Sequence, residues 1–186
     1  MDPISNKKEF DDLTINLRDL AYAYIEKYNP SKQQIKTYLL KKYLKKFQGS
    51  KVRKEITQII DSIVSNLEKG RFLNDRLYSE SKARMLFRRG YSLNKISFSL
   101  KSKGIGQDDI KFSLDKIKND KSDPDFTSAM KICKKRRIGP IRPEANRVLF
   151  YKKDMGILAR SGFNYDISKK ILSMEQEEFN KLIKII

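Results

Sequence analysis

Gly90-Tyr91-Ser92-Leu93-Asn94-Lys95-Ile96-Ser97-Phe98-Ser99-Leu100-Lys101-Ser102-Lys103-Gly104-Ile105-Gly106-Gln107-Asp108-Asp109-Ile110-Lys111-Phe112-Ser113-Leu114 spells the same corner twice. Each corner glycine is followed by Tyr91 or Ile105 one place on. Apolar residues then stand six and ten places on: Ile96 and Leu100 after Gly90, Ile110 and Leu114 after Gly104. That pair is four residues apart, hence on one face of a helix. A helix ends most easily on a residue that tolerates positive φ, glycine first and asparagine second. The spelling recurs outside this stretch. Gly162 leads Phe163 and Leu172, with Ser168 at the middle place and Ile167 beside it; Gly139 leads Pro140, Ala145 and Leu149; Asn29 leads Pro30, Ile35 and Leu39. Ser31 and Ser92, two places past their corners, are positioned to cap the helices that follow. Five corners in 186 residues predict a repeated small helical unit. One such unit cannot bury its faces alone, so the units stack.

Outward from these corners, helical spacing organises the rest of the chain. A helix over 11–28 carries Leu13, Leu17, Leu20, Ala21 and Tyr24 on one face, and Asn29-Pro30-Ser31 ends it. Ile35, Leu39 and Tyr43 face inward on the next, and Gln48-Gly49-Ser50 breaks it. Ile56, Ile59, Ile60 and Ile63 mark a third helix near 52–67. Further helices are expected near 75–89 (Leu77, Tyr78 and Met85 inward), 93–103, 107–118, 125–137, 144–160, 164–173 and 175–185. The polar run Asn119-Asp120-Lys121-Ser122-Asp123-Pro124 separates the later units. The expected division is a flexible tail over 1–10, three-helix repeats over 11–68, 72–118 and 125–174, and a C-terminal helix or tail over 175–186. No stretch alternates as a half-exposed strand does. The expected fold is all-α: an elongated array of three stacked three-helix repeats, related to helix-turn-helix units.

Composition narrows the function. The chain has no His, no Trp and a single cysteine, Cys133. That inventory excludes histidine-based zinc, Ser-His-Asp and Cys-His sites, and Cys133 in Met130-Lys131-Ile132-Cys133-Lys134 reads as a small core residue. Carboxylate pairs such as Asp108-Asp109 and Glu177-Glu178 fall at helix beginnings, where the helix dipole favours them. No enzyme activity, cofactor or small-molecule substrate is expected. One cysteine permits no internal disulfide and suits a reducing cytoplasm. No apolar run approaches the ~18 residues of a membrane span, and Met1-Asp2-Pro3-Ile4-Ser5-Asn6 lacks the pattern of a signal peptide. Lys and Arg number 41 against 23 Asp and Glu, a net charge of +18. Such an excess calls for a polyanionic partner, a nucleic acid or a nucleoprotein.

Three basic constellations are candidates for that contact. Arg84, Arg88 and Arg89 with Lys95, Lys101 and Lys103 form a stripe on the middle unit; Arg84 and Arg88 share a helix face. Lys134, Lys135, Arg136 and Arg137 with Arg142 are the densest cluster, set at a helix end where the dipole also favours cations. Phe150-Tyr151-Lys152-Lys153 interleaves aromatic and basic residues, with Tyr151 as the ring for base stacking and Lys152 beside it. Lys41, Lys42, Lys45, Lys46, Lys51, Arg53 and Lys54 read as a solvated or nonspecifically phosphate-attracting face.

Phe72-Leu73-Asn74-Asp75-Arg76, Arg88-Arg89-Gly90-Tyr91-Ser92, Ile96, Leu100, Lys103-Gly104-Ile105, Ile110 and Leu114 together resemble the central repeat of the RecX regulatory proteins. Ala129, Lys134-Lys135-Arg136-Arg137-Ile138-Gly139-Pro140-Ile141-Arg142 and Leu158-Ala159-Arg160-Ser161-Gly162-Phe163 are similar to that family's C-terminal repeat. Tyr24-Ile25, Ser31, Ile35, Leu39 and Lys42 match its first repeat more loosely, so the resemblance spans 17–173. Leu77-Tyr78 stands where the family more often has Phe-Ala, and Ser168 where an apolar residue is usual. The resemblance implies a regulator of DNA repair, homologous recombination and the SOS response; an array that uses its length as the binding surface has no need to dimerise, so a monomer is expected. Such a protein binds the RecA recombinase filament on single-stranded DNA and mainly inhibits it, with no catalytic centre. Weak, nonspecific, salt-sensitive binding to single-stranded DNA accompanies that role. The alternative is a sequence-independent nucleic-acid-binding helical protein that acts without a recombinase.

Overall fold

The computed structural model describes residues 7–44, 50–120 and 123–185. Among these, every regular element is helical: α1 (Lys7–Tyr28), α2 (Lys32–Leu44), α3 (Ser50–Lys69), α4 (Asp75–Arg88), α5 (Leu93–Lys101), α6 (Gln107–Asn119), α7 (Pro124–Arg136), α8 (Glu144–Arg160), α9 (Tyr165–Leu172) and α10 (Gln176–Ile185), with a 3₁₀ turn at Gly139–Ile141 before α8. The all-α repeat expected from the corners is the fold observed. Backbone φ is positive at all five: 42° at Asn29, 89° at Gly90, 76° at Gly104, 58° at Gly139 and 94° at Gly162. Ser31 and Ser92 cap as expected. The Ser31 hydroxyl accepts from the Gln34 backbone N–H at 3.2 Å while Gln34 Oε1 accepts from the Ser31 N–H at 3.1 Å, a reciprocal capping box.

Some boundaries differ. Helix α1 begins at Lys7, so residues 7–10 are helical rather than tail; nothing in Lys7-Lys8-Glu9-Phe10 resists helix. Residues 1–6, Gln48 and Gly49 of the expected break, and Lys121-Ser122 of the expected joint lie outside the described residues, while Ser50, expected in that break, already begins α3.

The residues group into two compact units. One comprises the chain up to Tyr78 together with Lys103–Gly106. Its core joins Leu17 and Ala21 of α1, Ile35 and Leu39 of α2, and Ile56 and Ile60 of α3, all fully buried. Tyr24 stacks on Tyr38 beside it at 4.1 Å between ring centres. The other unit comprises Ser79–Ser102 and Gln107–Ile186. Its largest apolar cluster joins Met130 and Cys133 of α7, Leu158 of α8, Ile171 of α9 and Phe179 of α10.

A single device recurs in both units. In the first, the Asp75 carboxylate at the start of α4 accepts from the Lys32 N–H at 2.8 Å, and the Ser31 hydroxyl donates to the Lys103 carbonyl at 2.7 Å. A Cβ at Gly104 would collide with the Gln33 side chain. In the second, the Asp125 carboxylate in the first turn of α7 accepts from the Leu93 N–H at 2.7 Å, and the Ser92 N–H donates to the Ser161 carbonyl at 3.2 Å. A Cβ at Gly162 would collide with Ser92 Oγ and Lys95 Cβ. The beginning of α2, and again of α5, is thus held by an aspartate from a later helix start and by a glycine corner with no side chain to keep it away.

Two inward assignments are overturned. Leu77 is 64% exposed; α4 turns Ser79, Ala83 and Leu86 inward instead. Small residues let α4 approach α6 closely enough for the Ser79 and Ser113 hydroxyls to bond at 2.6 Å. After Gly139, Ala145 and Leu149 are exposed rather than buried. The 3₁₀ turn and Pro143 delay the helix start, so α8 buries Asp154 and Leu158 instead. Ser168, where an apolar residue is usual, is buried with its hydroxyl donating to the Asn164 carbonyl at 2.8 Å.

Replacing Gly104 by Val combines a β-branched side chain at positive φ with a collision against Gln33. The expected loss is about 1–3 kcal/mol of unfolding free energy from backbone strain alone. Urea titration followed by circular dichroism measures it, and a midpoint equal to the parent's contradicts the seating described.

Candidate interaction surface

The candidate cations divide by what their charges already touch. At the end of α4, Arg88 and Arg89 are exposed and make no ion pair among the described residues. Arg84, one turn earlier, shares the Glu80 carboxylate with Lys116: 3.3 Å from Arg84 and 2.7 Å from Lys116. Those two cations, Lys116 foremost, hold the Glu80 carboxyl below the usual range. On α5, Lys95 and Lys101 are exposed on either side of the exposed Phe98 ring, which the sequence reading passed over. Lys103 is half-buried and belongs to the other compact unit, where its carbonyl takes the Ser31 hydroxyl. The expected six-residue stripe is therefore grouped, without Lys103, on α4 and α5 of one unit.

Lys134, Lys135, Arg136 and Arg137 are exposed at the end of α7. Arg137 closes that helix in the left-handed region (φ 53°), its N–H bonding the Cys133 and Lys134 carbonyls. The run thus combines favourable placement at a negative helix terminus with four outward charges.

Arg142 has a different employment. Its Nε and Nη2 donate to Asp154 Oδ2 and Oδ1 at 2.7 and 2.8 Å, a two-point fork on a carboxylate that is 1% exposed. The same Oδ2 accepts from the Gly139 N–H at 3.0 Å, and the guanidinium lies over the Phe150 ring at 4.5 Å. The Asp154 hydrogen bonds raise the Arg142 pKa further above its ordinary value. Arg147 completes the arrangement by donating to the Pro140 carbonyl at 3.0 Å. These groups pin the 3₁₀ turn to α8, so Arg142 is a fastener of the fold. Asp154 carried one overlooked clue: it stands four residues before Leu158, on the face α8 buries.

Tyr151 is half-buried and packs against the α7–α10 core, which leaves its ring poorly placed for a base; Lys152 beside it is exposed. Cys133 is fully buried, and burial first, then the Asp154 charge, pushes its thiol up to about 12. That agrees with its reading as a core residue. A cleft of about 460 Å³ between α1 and α3 has Arg18 and Glu55 among its lining residues. Among the described residues no group of His, Cys, Asp and Glu could hold a metal ion, and no helix is long and apolar enough to cross a membrane.

Comparisons with known proteins agree in one direction. The family model described as RecX, second three-helix domain, matches residues 74–114. A curated Regulatory protein RecX of Myxococcus xanthus (strain DK1622) is 30% identical over 159 residues, 84% of this chain and 83% of that protein. Regulatory protein RecX of Agrobacterium fabrum (strain C58 / ATCC 33970) is 27% identical over 114 residues, 60% of this chain and 57% of that protein. A crystal structure of a regulatory protein RecX superposes with a TM-score of 0.57 at 21% identity, covering 91% of this chain and 78% of that one, which is a likeness of fold.

Two measurements test the division of these side chains. Arg142→Ala strands the buried Asp154 charge and is expected to cost about 2–4 kcal/mol, whereas Lys152→Ala stays within about 0.5 kcal/mol. Equal denaturation midpoints for the two variants would contradict the fastener role. Separately, a maleimide reagent at about pH 8 is expected to leave native Cys133 unlabelled and to react once denaturant opens the fold. Rapid labelling of the native chain would mean that the thiol is accessible.

Proposed function

The chain belongs to the RecX family of regulatory proteins, and from that premise we propose that it binds the filament a RecA-type recombinase forms on single-stranded DNA and restrains the recombinase. The observation that carries this reading is the set of exposed cations gathered on the ends of α4 and α7 and along α5, with no ion pairs of their own among the described residues. A protein–DNA filament supplies the polyanion that such a surface requires. We read the working parts as three-helix repeats over 11–68, 72–118 and 125–174, with Arg88, Arg89, Lys95, Lys101, Lys134, Lys135, Arg136, Arg137 and Lys152 as contact residues. Arg84 joins them through the charge that Glu80 shares with Lys116. The regulator needs no cofactor for this work, and a net charge of +18 opposes self-association and favours a monomer.

Its mechanism in this reading is competitive occupation. Cations on helix ends pair with phosphates or with acidic side chains of the filament, and each contact holds the recombinase in a state less able to exchange strands. The runner-up is a nucleic-acid binder that needs no recombinase, favoured by the Lys95-Phe98-Lys101 arrangement on α5. The two separate in a salt series. Affinity for bare single strands falls with a log–log slope of about −0.7 per phosphate neutralised. A filament regulator prefers recombinase-coated strands at near-physiological salt.

Arg88→Glu with Arg89→Glu is the direct test, because neither arginine has an ion pair among the described residues, while Arg84 does. The double variant is expected to lose inhibition of recombinase ATP hydrolysis and strand exchange, since like charges facing each other at an interface cost several kcal/mol. Its melting temperature stays that of the parent. Undiminished inhibition by the double variant moves the functional face away from α4.

A further inference from the structure

The ring expected to meet a base, Tyr151, is half-buried, but another ring stands in the open. Phe98 is 69% exposed in the middle of α5. Every other phenylalanine whose side chain the structure describes is either buried or paired with a ring or a cation. Phe163 and Phe179 are buried, and Phe72 meets the Tyr22 ring edge-on at 5.4 Å between centres. Phe87, Phe112, Phe126 and Phe150 lie under Lys131, Lys116, Lys170 and Arg142 respectively, at 4.5–5.6 Å. Among the described residues Phe98 has no such companion. Helical spacing surrounds it with polar groups instead. Its neighbours one turn away are Lys95 and Lys101 at three places and Asn94 and Ser102 at four, all exposed. The Ser102 hydroxyl donates to the Ser99 carbonyl at 2.8 Å, which leaves its lone pairs as acceptors. No carboxylate lies on α5, and the aspartate that reaches its start, Asp125, is held by the Leu93 N–H.

We propose that Phe98 is a stacking platform for an unpaired base of single-stranded DNA, with Lys95 and Lys101 on the phosphates either side of that base. A bare ring between two cations fits a partner that is flat and apolar on one face and negatively charged close by, which describes a nucleotide. Lys95 and Lys101 are six places apart, about 9 Å along the helix axis. The ring thus lies between two positive charges as a base lies between the phosphates that flank it. Asn94 and Ser102 set hydrogen-bonding groups beside the ring for the base edge. A duplex keeps its base faces inside the stack, so the site selects single strands. It tolerates any sequence, because every base has a π-face. Seating the ring in an apolar pocket of a protein would press both lysines against the rim of that pocket, and their charges favour phosphates instead. The inference rests on the filament reading for the kind of strand, DNA, and deepens it. Helix α5 holds the strand by a base, and the ends of α4 and α7 remain for phosphates or acidic side chains.

The chain has no tryptophan, so Phe98→Trp places a single indole fluorophore at the site. The full chain carrying it is titrated with oligothymidylate, with an abasic strand of equal length and with oligouridylate. The expected result is quenching by oligothymidylate and none by the abasic strand at equal phosphate. Phe98→Ala and Phe98→Leu change an exposed side chain and are expected to melt like the parent. Both are expected to bind oligothymidylate at least about fivefold more weakly, with the log–log salt slope unchanged. Lys95→Ala with Lys101→Ala lowers that slope. Leucine keeps apolar area without a flat face, so parental affinity in Phe98→Leu overturns the stacking platform. Equal quenching by the abasic strand overturns it as well. Stronger quenching by oligouridylate assigns the site to RNA, and a loss confined to recombinase-coated strands makes a protein the occupant; both outcomes count against the inference. Inhibition of the recombinase is read in parallel. A parent that inhibits while Phe98→Trp stays unquenched leaves the filament reading standing without the platform. A quenched tryptophan in a chain that does not inhibit leaves the platform without the filament reading.

Discussion

Gly104 and Gly162 bring one piece of backbone onto the first turn of another helix, and most of the architecture follows from that approach. Hydrogen bonds made there depend on the distance a missing Cβ allows. The Ser31 hydroxyl reaches the Lys103 carbonyl, and the Ser92 N–H reaches the Ser161 carbonyl, only because the neighbouring glycines contribute no bulk. The aspartates finish the arrangement by occupying N–H groups that a helix start otherwise leaves to water. Burial of Asp125 raises its carboxyl pKa while the Leu93 N–H opposes the rise, so this carboxylate is held in place at some electrostatic cost. A sequence could keep every apolar residue of these helices and still fail to assemble if either glycine were branched.

Packing around the joints is uneven. The α1–α3 and α7–α10 clusters are broad and apolar. Between α4 and α6 a pair of serine hydroxyls meets, their two protons shared between each other and the Asp109 carbonyl. Hydroxyls satisfied in this way tolerate burial, yet they supply little of the area-dependent stabilisation that leucines give. Ser128, whose buried hydroxyl has no hydrogen-bond partner among the described residues, lies beside Gly90 in the same unit. The middle helices also bury Leu86, Ile96, Leu100, Ile110 and Ile117, so their caps and corners add to apolar packing there.

How much of this was legible in the sequence depended on how local its cause was. Corner glycines, Asn29 and the serine caps announce themselves within a few residues, because positive φ and capping are properties of the local backbone. Helix spans followed from them to within a few residues. Leu77 and Leu149 misled for opposite reasons. On α4 the inward face was chosen by what fits against α6, so small Ser79 and Ala83 displaced a leucine. Beyond Gly139 two prolines and a 3₁₀ turn put the helix out of phase with the spelling that worked elsewhere. Among the basic residues, composition could not tell Arg142 from Arg136. Their difference is Asp154, twelve residues away, and a two-point fork leaves no mark in a count of charges.

The first joint has a consequence for the order in which this chain takes shape on the ribosome. Ser31 and the Lys103 carbonyl it bonds are separated by 72 positions, and Lys32 and Asp75 by 43. At about 5–20 residues per second of synthesis, roughly 4–14 s pass between the emergence of Ser31 and that of its acceptor. For roughly the first 2–9 s of that interval α2 has its own Gln34 box but neither aspartate nor glycine corner, and after Asp75 emerges it still lacks the corner. The opening helices therefore wait, incompletely fastened, for a segment beyond α5, and a nascent chain stalled before Gly104 exposes a helix start that the finished protein covers.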